Sequence, residues 1–315
     1  MSRRQKGLEI LVNNAALLMC FLLVIYNALF SRNFLNLNTA WNILAQTVAQ
    51  MFVTMGMTIV LSCGCTDLSA SSLMAISSSV TGCLVIAGED QYIAILLGVG
   101  IGAACGALNG TIVAGFNLQP MVAMLIMRMI YRAAANIYTN GLSLQVKCEV
   151  ATLLGRGRVL PVRMPIIIIP MIAGILIAFF IVKSTKLGKR LEAVGNNQKT
   201  AYLCGINVKR TIIIAYICSS IFAAVGGILY MFRSSAIDSN TIGIDYEMTA
   251  IAASIIGGTS MRGGKAHVLG AVFGTLLMTL ITMTVNYSNI QYEWANVFKA
   301  LVIILAIALQ NAKRI

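Results

Sequence analysis

Ten apolar stretches near membrane-crossing length, joined by short polar intervals, leave this 315-residue chain few folds to choose from. Their approximate limits are 13–30, 41–63, 68–87, 92–116, 120–138, 165–182, 211–232, 246–259, 266–285 and 294–309. About 20 apolar residues in a helix cover the roughly 30 Å of hydrocarbon in a bilayer. Hydrocarbon offers no water to backbone N–H and C=O groups, so a spanning segment of this length must be helical. With 58% hydrophobic and 10% charged residues, a soluble globular domain is excluded. The expectation is an all-α polytopic membrane protein, one transmembrane domain over residues 1–315. It has about ten transmembrane helices, and two segments read as broken or re-entrant. The 246–259 stretch is too short to cross comfortably, and 68–87 is rich in serine; such segments often line a transport path.

The longest polar interval runs from Lys183 to Arg210 and carries Lys183, Lys186, Lys189, Arg190, Lys199, Lys209 and Arg210 against one acid, Glu192. Short loops this basic stay on the cytoplasmic side. Helix-compatible runs at 189–194 and 198–204 are punctuated by Gly195-Asn196-Asn197 and Gly205-Ile206-Asn207, the pattern of a rigid protruding element. Such a loop suits anionic lipid, nucleic acid or a protein partner, or is simply a solvated topogenic loop.

With both termini cytoplasmic, 14 of the 23 basic residues fall inside and 6 outside, with Arg128, Arg132 and Lys299 in spans. That bias supports the orientation, and with an anionic leaflet it accounts for a net charge of +13 without nucleic acid. Residues 139–164, with four of the outer cations, form the longest outward loop: a solvated connection or a seat for an extracytoplasmic partner. Cys20, Cys83, Cys105 and Cys218 lie in apolar runs and read as packing residues, not a disulfide framework. The basic start before the first apolar run lacks a cleavage site, so that run is expected to be an uncleaved helix.

Two small, hydroxyl-rich breaks echo each other weakly. One is Gly64-Cys65-Thr66-Asp67-Leu68-Ser69-Ala70-Ser71-Ser72, and the other is Gly257-Gly258-Thr259-Ser260-Met261-Arg262-Gly263-Gly264-Lys265. Asp67 beside a membrane core must pair, cap a helix or line a wet cavity. Glycines in the second break permit close helix approach or unwinding, freeing carbonyls to bind a polyhydroxylated solute. No G-x-x-x-x-G-K-[ST] string occurs, so nucleotide hydrolysis would need another subunit. His267, the one histidine, reads as a cap or interface residue. Cys63 and Cys65 with Met51, Met55 and Met57 raise soft-metal transport, but no His or carboxylate cluster completes a site. An ion-coupled secondary transporter is the alternative function; only Asp67 and Glu247 are placed to bind its ion. An intramembrane enzyme would need a paired nucleophile and base that cannot be pointed to.

Three segments carry a family resemblance. In the central loop Gly188, Leu191, Ala193, Gly195, Asn197, Ala201, Gly205 and Ile206 are in register; in the first break Asp67, Leu68, Ser69 and Ser72; in the second Gly257, Gly258, Thr259, Ser260, Gly263, Gly264 and Gly270. Thr200, Thr66, Ala70, Ser71, Ala266 and His267 depart from the pattern. With Gly106, Asn109 and Gly110, the chain resembles bacterial ABC sugar-importer permeases of the ribose, xylose and galactose type, within the branched-chain-amino-acid and monosaccharide permease superfamily. The resemblance implies a membrane subunit that imports a monosaccharide or similar solute without chemistry or a cofactor of its own. ATP and Mg would sit on a separate ABC ATPase. The implied ATPase-docking residues are Gly188, Arg190, Leu191, Glu192, Ala193, Val194, Gly195, Asn196 and Asn197. The implied translocation path holds Asp67, Ser69, Ser71, Ser72, Asn109, Gly257, Gly258, Thr259 and Ser260. It further implies an extracytoplasmic solute-binding protein, a second permease (itself or a paralogue), contact with membrane lipid, and a place in the bacterial inner membrane.

Overall fold

A computed structural model describes residues 15–30, 34–288, 291 and 293–312 of the chain. The basic cluster at the N-terminus, Arg32, Lys313 and Arg314, which entered the charge tally, lie outside the described residues.

All ten apolar stretches are helical. In order they are α1 (Ala15–Phe30), α2 (Leu37–Ser62), α3 (Ala70–Ile86), α4 (Gln91–Phe116), α5 (Pro120–Tyr138), α7 (Ile168–Ser184), α10 (Val208–Ser234), α11 (Tyr246–Ile256), α12 (Val268–Tyr287) and α13 (Glu293–Ala312). Three shorter helices lie in the loops: α6 (Glu149–Arg156), α8 (Lys186–Asn196) and α9 (Gln198–Leu203). Four helices, α2, α4, α10 and α12, are each long and apolar enough to cross a membrane, and α7 with α8 makes a fifth across a 67° bend. Of the others, α3 and α11 run to only 17 and 11 residues, and α5 carries Arg128 and Arg132. The architecture is that of a polytopic helical membrane protein.

Helix boundaries follow local chemistry. Asp90 caps α4 by accepting from the N–H groups of Tyr92 (2.9 Å) and Ile93 (3.1 Å). Asn117 ends α4 in the left-handed conformation (φ 54°), and Pro120 opens α5, where its missing N–H costs nothing. Thr47, Thr54 and Thr58 return their hydroxyls to carbonyls one turn back in α2, so that helix is polar in composition yet satisfied when buried.

The core is built on α10, which packs against α2, α3 and most extensively α4. The reason lies in a glycine ridge on α4: Gly98, Gly102, Gly106 and Gly110 at four-residue spacing. A Cβ at Gly102 would stand 2.5 Å from the Ala224 Cβ, at Gly106 2.7 Å from Ser220, and at Gly110 2.6 Å from the Ile213 Cα. Small residues on one face let two backbones approach where lipid supplies no hydrophobic drive. On the other flank, α12 packs against α1, α2, α11 and α13.

Four two-residue strands qualify the all-α expectation. β1 (Leu144–Gln145) pairs antiparallel with β4 (Ala236–Ile237), and β2 (Arg158–Val159) with β3 (Met164–Pro165). With α6, which packs on α10, they turn residues 139–165 into a folded cap. Val146, Ala151, Phe232 and Ile237 form its small core. The cap lies at the C-terminal end of α10, and α8 lies at its other end, because Asn207 caps the start of α10 directly after the α8–α9 loop.

Candidate functional site

The Lys183–Arg210 interval folds as two helices with consecutive Asx and Thr caps. Thr185 Oγ1 accepts from Gly188 N at 3.3 Å, Asn197 Oδ1 from Thr200 N at 3.0 Å, and Asn207 Oδ1 from Arg210 N at 3.0 Å. The helical runs and their breaks were therefore legible in the sequence. Of the residues implied for docking, Gly188, Leu191 and Val194 are buried against the protein's own helices, as the 3-residue spacing on one helix face requires. Arg190, Asn196 and Asn197 are exposed, and Glu192 and Ala193 are half-buried. The most exposed apolar side chains of the loop are Tyr202 (72%) and Leu203 (83%) on α9, outside the implied set.

The end of α8 is wedged between the two breaks. A Cβ at Gly195 would strike Ser62 O and Gly264 N and stand 3.0 Å from Gly263 Cα. Gly264 N donates to Ser62 O at 2.9 Å, which ties the second break to the end of α2. The Asn196 side chain lies over Gly264, and Glu192 Oε1 accepts from Ala266 N at 3.5 Å. Gly64, Gly263 and Gly264 hold φ values of 78°, 87° and 82°, which a side chain would strain. Three segments far apart in sequence thus meet as one backbone joint.

Beside this joint the first break forms a buried polar chain. Asp67 Oδ1 accepts from Ser69 N (3.0 Å) and Ser69 Oγ (2.6 Å), and Asp67 Oδ2 accepts from Ser219 Oγ (2.9 Å). Asn109 Nδ2 donates to Ser69 Oγ (2.9 Å), and Tyr131 OH donates to Asn109 Oδ1 (2.9 Å). Asp67, Ser69 and Asn109 are wholly buried. The chain joins α3, α4, α5 and α10, so Asp67 acts as an Asx turn ahead of α3 and as a tie between helices, with Ser69 in the cap position itself. Ser71 and Ser72 are buried at the start of α3; the Ser71 hydroxyl faces Glu247, and the Ser72 hydroxyl has no hydrogen-bond partner among the described residues.

In the second break Thr259 Oγ1 accepts from His267 N at 3.1 Å, and Ser260 N donates to Lys265 O at 3.1 Å. Gly257 ends α11 and Gly258 follows with φ 92°. His267 Nδ1 accepts from Gly270 N at 3.1 Å, so the histidine is the cap of α12. Among the described residues no group of three or more His, Cys, Asp or Glu is arranged to hold a metal ion.

One ion pair escaped the sequence reading. Arg128 Nη1 lies 2.6 Å from Glu247 Oε1, and Glu247 is fully buried. One turn along α5, Arg132 Nη1 donates to Ser239 O and Ile242 O, both at 2.8 Å, pinning the irregular chain that leads into α11. Arginines four apart on a helix were visible as a pair; their partners, more than a hundred residues away, were not. Asp67 and Glu247 therefore both have their carboxylates engaged by the protein itself.

A helical membrane bundle with a basic, capped loop clamped between two glycine breaks has the build of a membrane transport permease. Residues 39–307 match the family described as branched-chain amino acid transport system / permease component, and the chain belongs to that family. It is 32% identical to the ribose import permease protein of Escherichia coli (strain K12) over 96% of this chain and 95% of that one. It is 30% identical to the galactofuranose transporter permease protein of the same organism (86% and 79% covered). It is 29% identical to the fructose import permease protein of Bifidobacterium longum (strain NCC 2705) (93% and 85%). No solved structure matches the chain.

Proposed function

We propose that the chain is the transmembrane subunit of an ATP-binding-cassette importer for a monosaccharide or similar small polyhydroxylated solute. Family membership and the sugar-import names of its relatives support the class. The observation that carries the mechanism is the wedging of α8 between the ends of α2 and α11. A force applied to α8 reaches both breaks through backbone contacts at Gly195, Gly263 and Gly264 without passing through flexible side chains. Switching access is then a change in the relative stability of two conformations, biased by whatever binds α8.

In this reading ATP and Mg belong to a partner ATPase, and the chain performs no covalent chemistry. The ATPase meets the outward face of the loop, Lys189, Arg190, Asn197, Tyr202 and Leu203, while Leu191 and Val194 hold α8 to the bundle. The folded cap at 139–165 receives a solute-binding protein on the opposite side. Both termini are cytoplasmic and the chain crosses the bacterial inner membrane about ten times, α11 crossing only together with the irregular chain that precedes it. A single docking loop per chain implies a second permease, identical or paralogous, with lipid covering the remaining apolar surface. The breaks with Asp67, Ser69, Ser71, Ser72, Asn109, Gly257, Gly258, Thr259 and Ser260 form the closed inner end of the path, where the buried hydroxyls of Ser71 and Ser72 would meet solute on opening.

The test is affinity isolation of the gently solubilised chain from its native host, with ATPase activity assayed on whatever co-purifies. An ATPase is expected, and a paired Arg190→Glu and Leu203→Ser variant should lose it while inserting and folding normally. Recovery of the chain alone, with uptake into liposomes driven by an ion gradient, would sink the importer reading.

A further inference from the structure

A second polar feature lies apart from both breaks. A cavity of about 110 Å³ opens between α2, α11, α12, α13 and the irregular residues that precede α11. Its polar lining comes in pairs at helical spacing: Gln46 and Gln50 on α2, Thr279 and Thr282 on α12, Asn296 and Lys299 on α13. Asp245 and Thr249 supply a fourth pair, from the entrance and first turn of α11. Side chains three or four apart share a helix face. Four elements thus each turn one polar pair to the same space.

Depth and backbone both mark this as a site. Gln50 lies 13 residues into the 26-residue α2, about 20 Å from either end at 1.5 Å per residue. Polar and charged groups at such depth are costly and are retained for paths and binding. The chain reaches the cavity without helical structure, and irregular backbone at membrane depth is tolerated where it is buried in protein or lines a wet cavity. Asp245 sits at the cap position of α11 with φ 61°, yet its side chain makes no capping bond, so the carboxylate is not spent on the helix. Gln50 Nε2 donates to Tyr246 O at 3.0 Å and holds the start of α11 against α2.

The lining chemistry selects a ligand class. Lys299 lies within electrostatic reach of Asp245, so the cavity carries one charge of each sign and favours neither a free anion nor a free cation. Amides and a carboxylate present donors and acceptors in close array, as vicinal hydroxyls demand, and the Thr279 and Thr282 hydroxyls, which donate to Thr275 O and Met278 O, add acceptors. Met278 and Ile244 supply an apolar wall for ring carbons. A cavity needs about 10–15 Å³ of volume to admit one water, so this one admits several waters or one small solute. We infer that this cavity is an intramembrane binding station for a neutral polyhydroxylated solute, with Gln46, Asp245, Thr279, Thr282, Asn296 and Lys299 as its contacts. The inference rests on the importer reading and gives it a place where solute is held, about 16 Å from the cytoplasmic joint along the 11 residues of α11.

The experiment uses the permease assembled with its ATPase and its solute-binding protein in vesicles. Thr282→Cys, Asn296→Cys and, as a surface control, Leu96→Cys (72% exposed on α4) are treated with a charged, membrane-impermeant methanethiosulfonate. Modification is read peptide by peptide by mass spectrometry, which separates these sites from the native cysteines. Thr282→Cys and Asn296→Cys should react about tenfold faster than Leu96→Cys, at a rate that changes with ATP; reaction no faster than Leu96→Cys overturns the site. In parallel, labelled ribose, fructose and allose are offered to the wild type and to the near-isosteric Thr279→Val and Thr282→Val variants. Loss of about tenfold in uptake, with ATPase activity intact, is expected for at least one sugar from the loss of hydroxyl contacts. Uptake equal to the wild type overturns the contacts while leaving the importer reading standing. Uptake of none of the three by the wild type, with fast labelling, overturns the sugar assignment alone. Absence of any ATPase assembly overturns the importer reading instead.

Discussion

Asp67 shows what a single buried acid does here. Its two oxygens accept three hydrogen bonds, from Ser69 and Ser219, and none of these requires the negative charge. Asp67→Asn keeps the Ser69 bonds, and Ser219 can turn its hydroxyl to accept from the new amide. Uptake by Asp67→Asn is therefore expected within about twofold of wild type, whereas Asp67→Leu strands the donors and should cost about 1–3 kcal/mol or more in thermal unfolding. A role as coupling-ion ligand predicts the reverse for Asn, with uptake abolished. Asn109 bridges Ser69 and Tyr131, and Asn109→Leu should cost a similar amount, read as a lowered melting temperature in detergent. That Asp67 needed a partner was legible from its apolar flanks; that the partners are hydroxyls on α3 and α10 was not.

At the scale of elements, the α4–α10 contact depends on the glycine ridge. Gly102→Leu places atoms where Ala224 already stands and should abolish recovery of folded protein, measured as a monodisperse peak in size-exclusion chromatography. Gly100, two residues away, meets nothing within 4 Å, and Gly100→Leu should leave that peak unchanged. Equal loss from both would show that added bulk anywhere on α4, and not close approach at this face, sets the requirement. The spacing of these glycines is written in the chain, but which helix approaches them is not, since α3, α5 and α10 all pack against α4. The α8–α9 helices were readable in advance because their caps are local: Thr185, Asn197 and Asn207 each bond a group three residues on. The folded cap at 139–165 was not, because its strands are two residues long and β4 lies some ninety residues from β1.

For the whole molecule, the proposed orientation sets α8–α9 and the 139–165 cap on opposite faces of the membrane. Cysteines placed at Leu203 (83% exposed) and Leu142 (59% exposed) should be modified by an impermeant thiol reagent from opposite sides only: Leu142→Cys in intact cells and Leu203→Cys in inverted vesicles. Modification of both from one side would break the topology on which the docking and solute-delivery roles rest.

Hydropathy, cation bias, caps and glycine spacing are properties of neighbouring residues, and they alone determined that this is a helical membrane protein with a rigid basic loop and two breaks. They act over a few residues, within one helical turn or one membrane thickness, so a linear reading captures them. What joins residues 62–64, 195–196 and 263–264 at one joint, pairs Arg128 with Glu247, and gathers polar faces of α2, α11, α12 and α13 around one cavity is the packing of helices remote in sequence. Only the tertiary structure decided those, because each depends on which surfaces of separate helices face one another, a choice made by side-chain volume and backbone approach across the whole bundle.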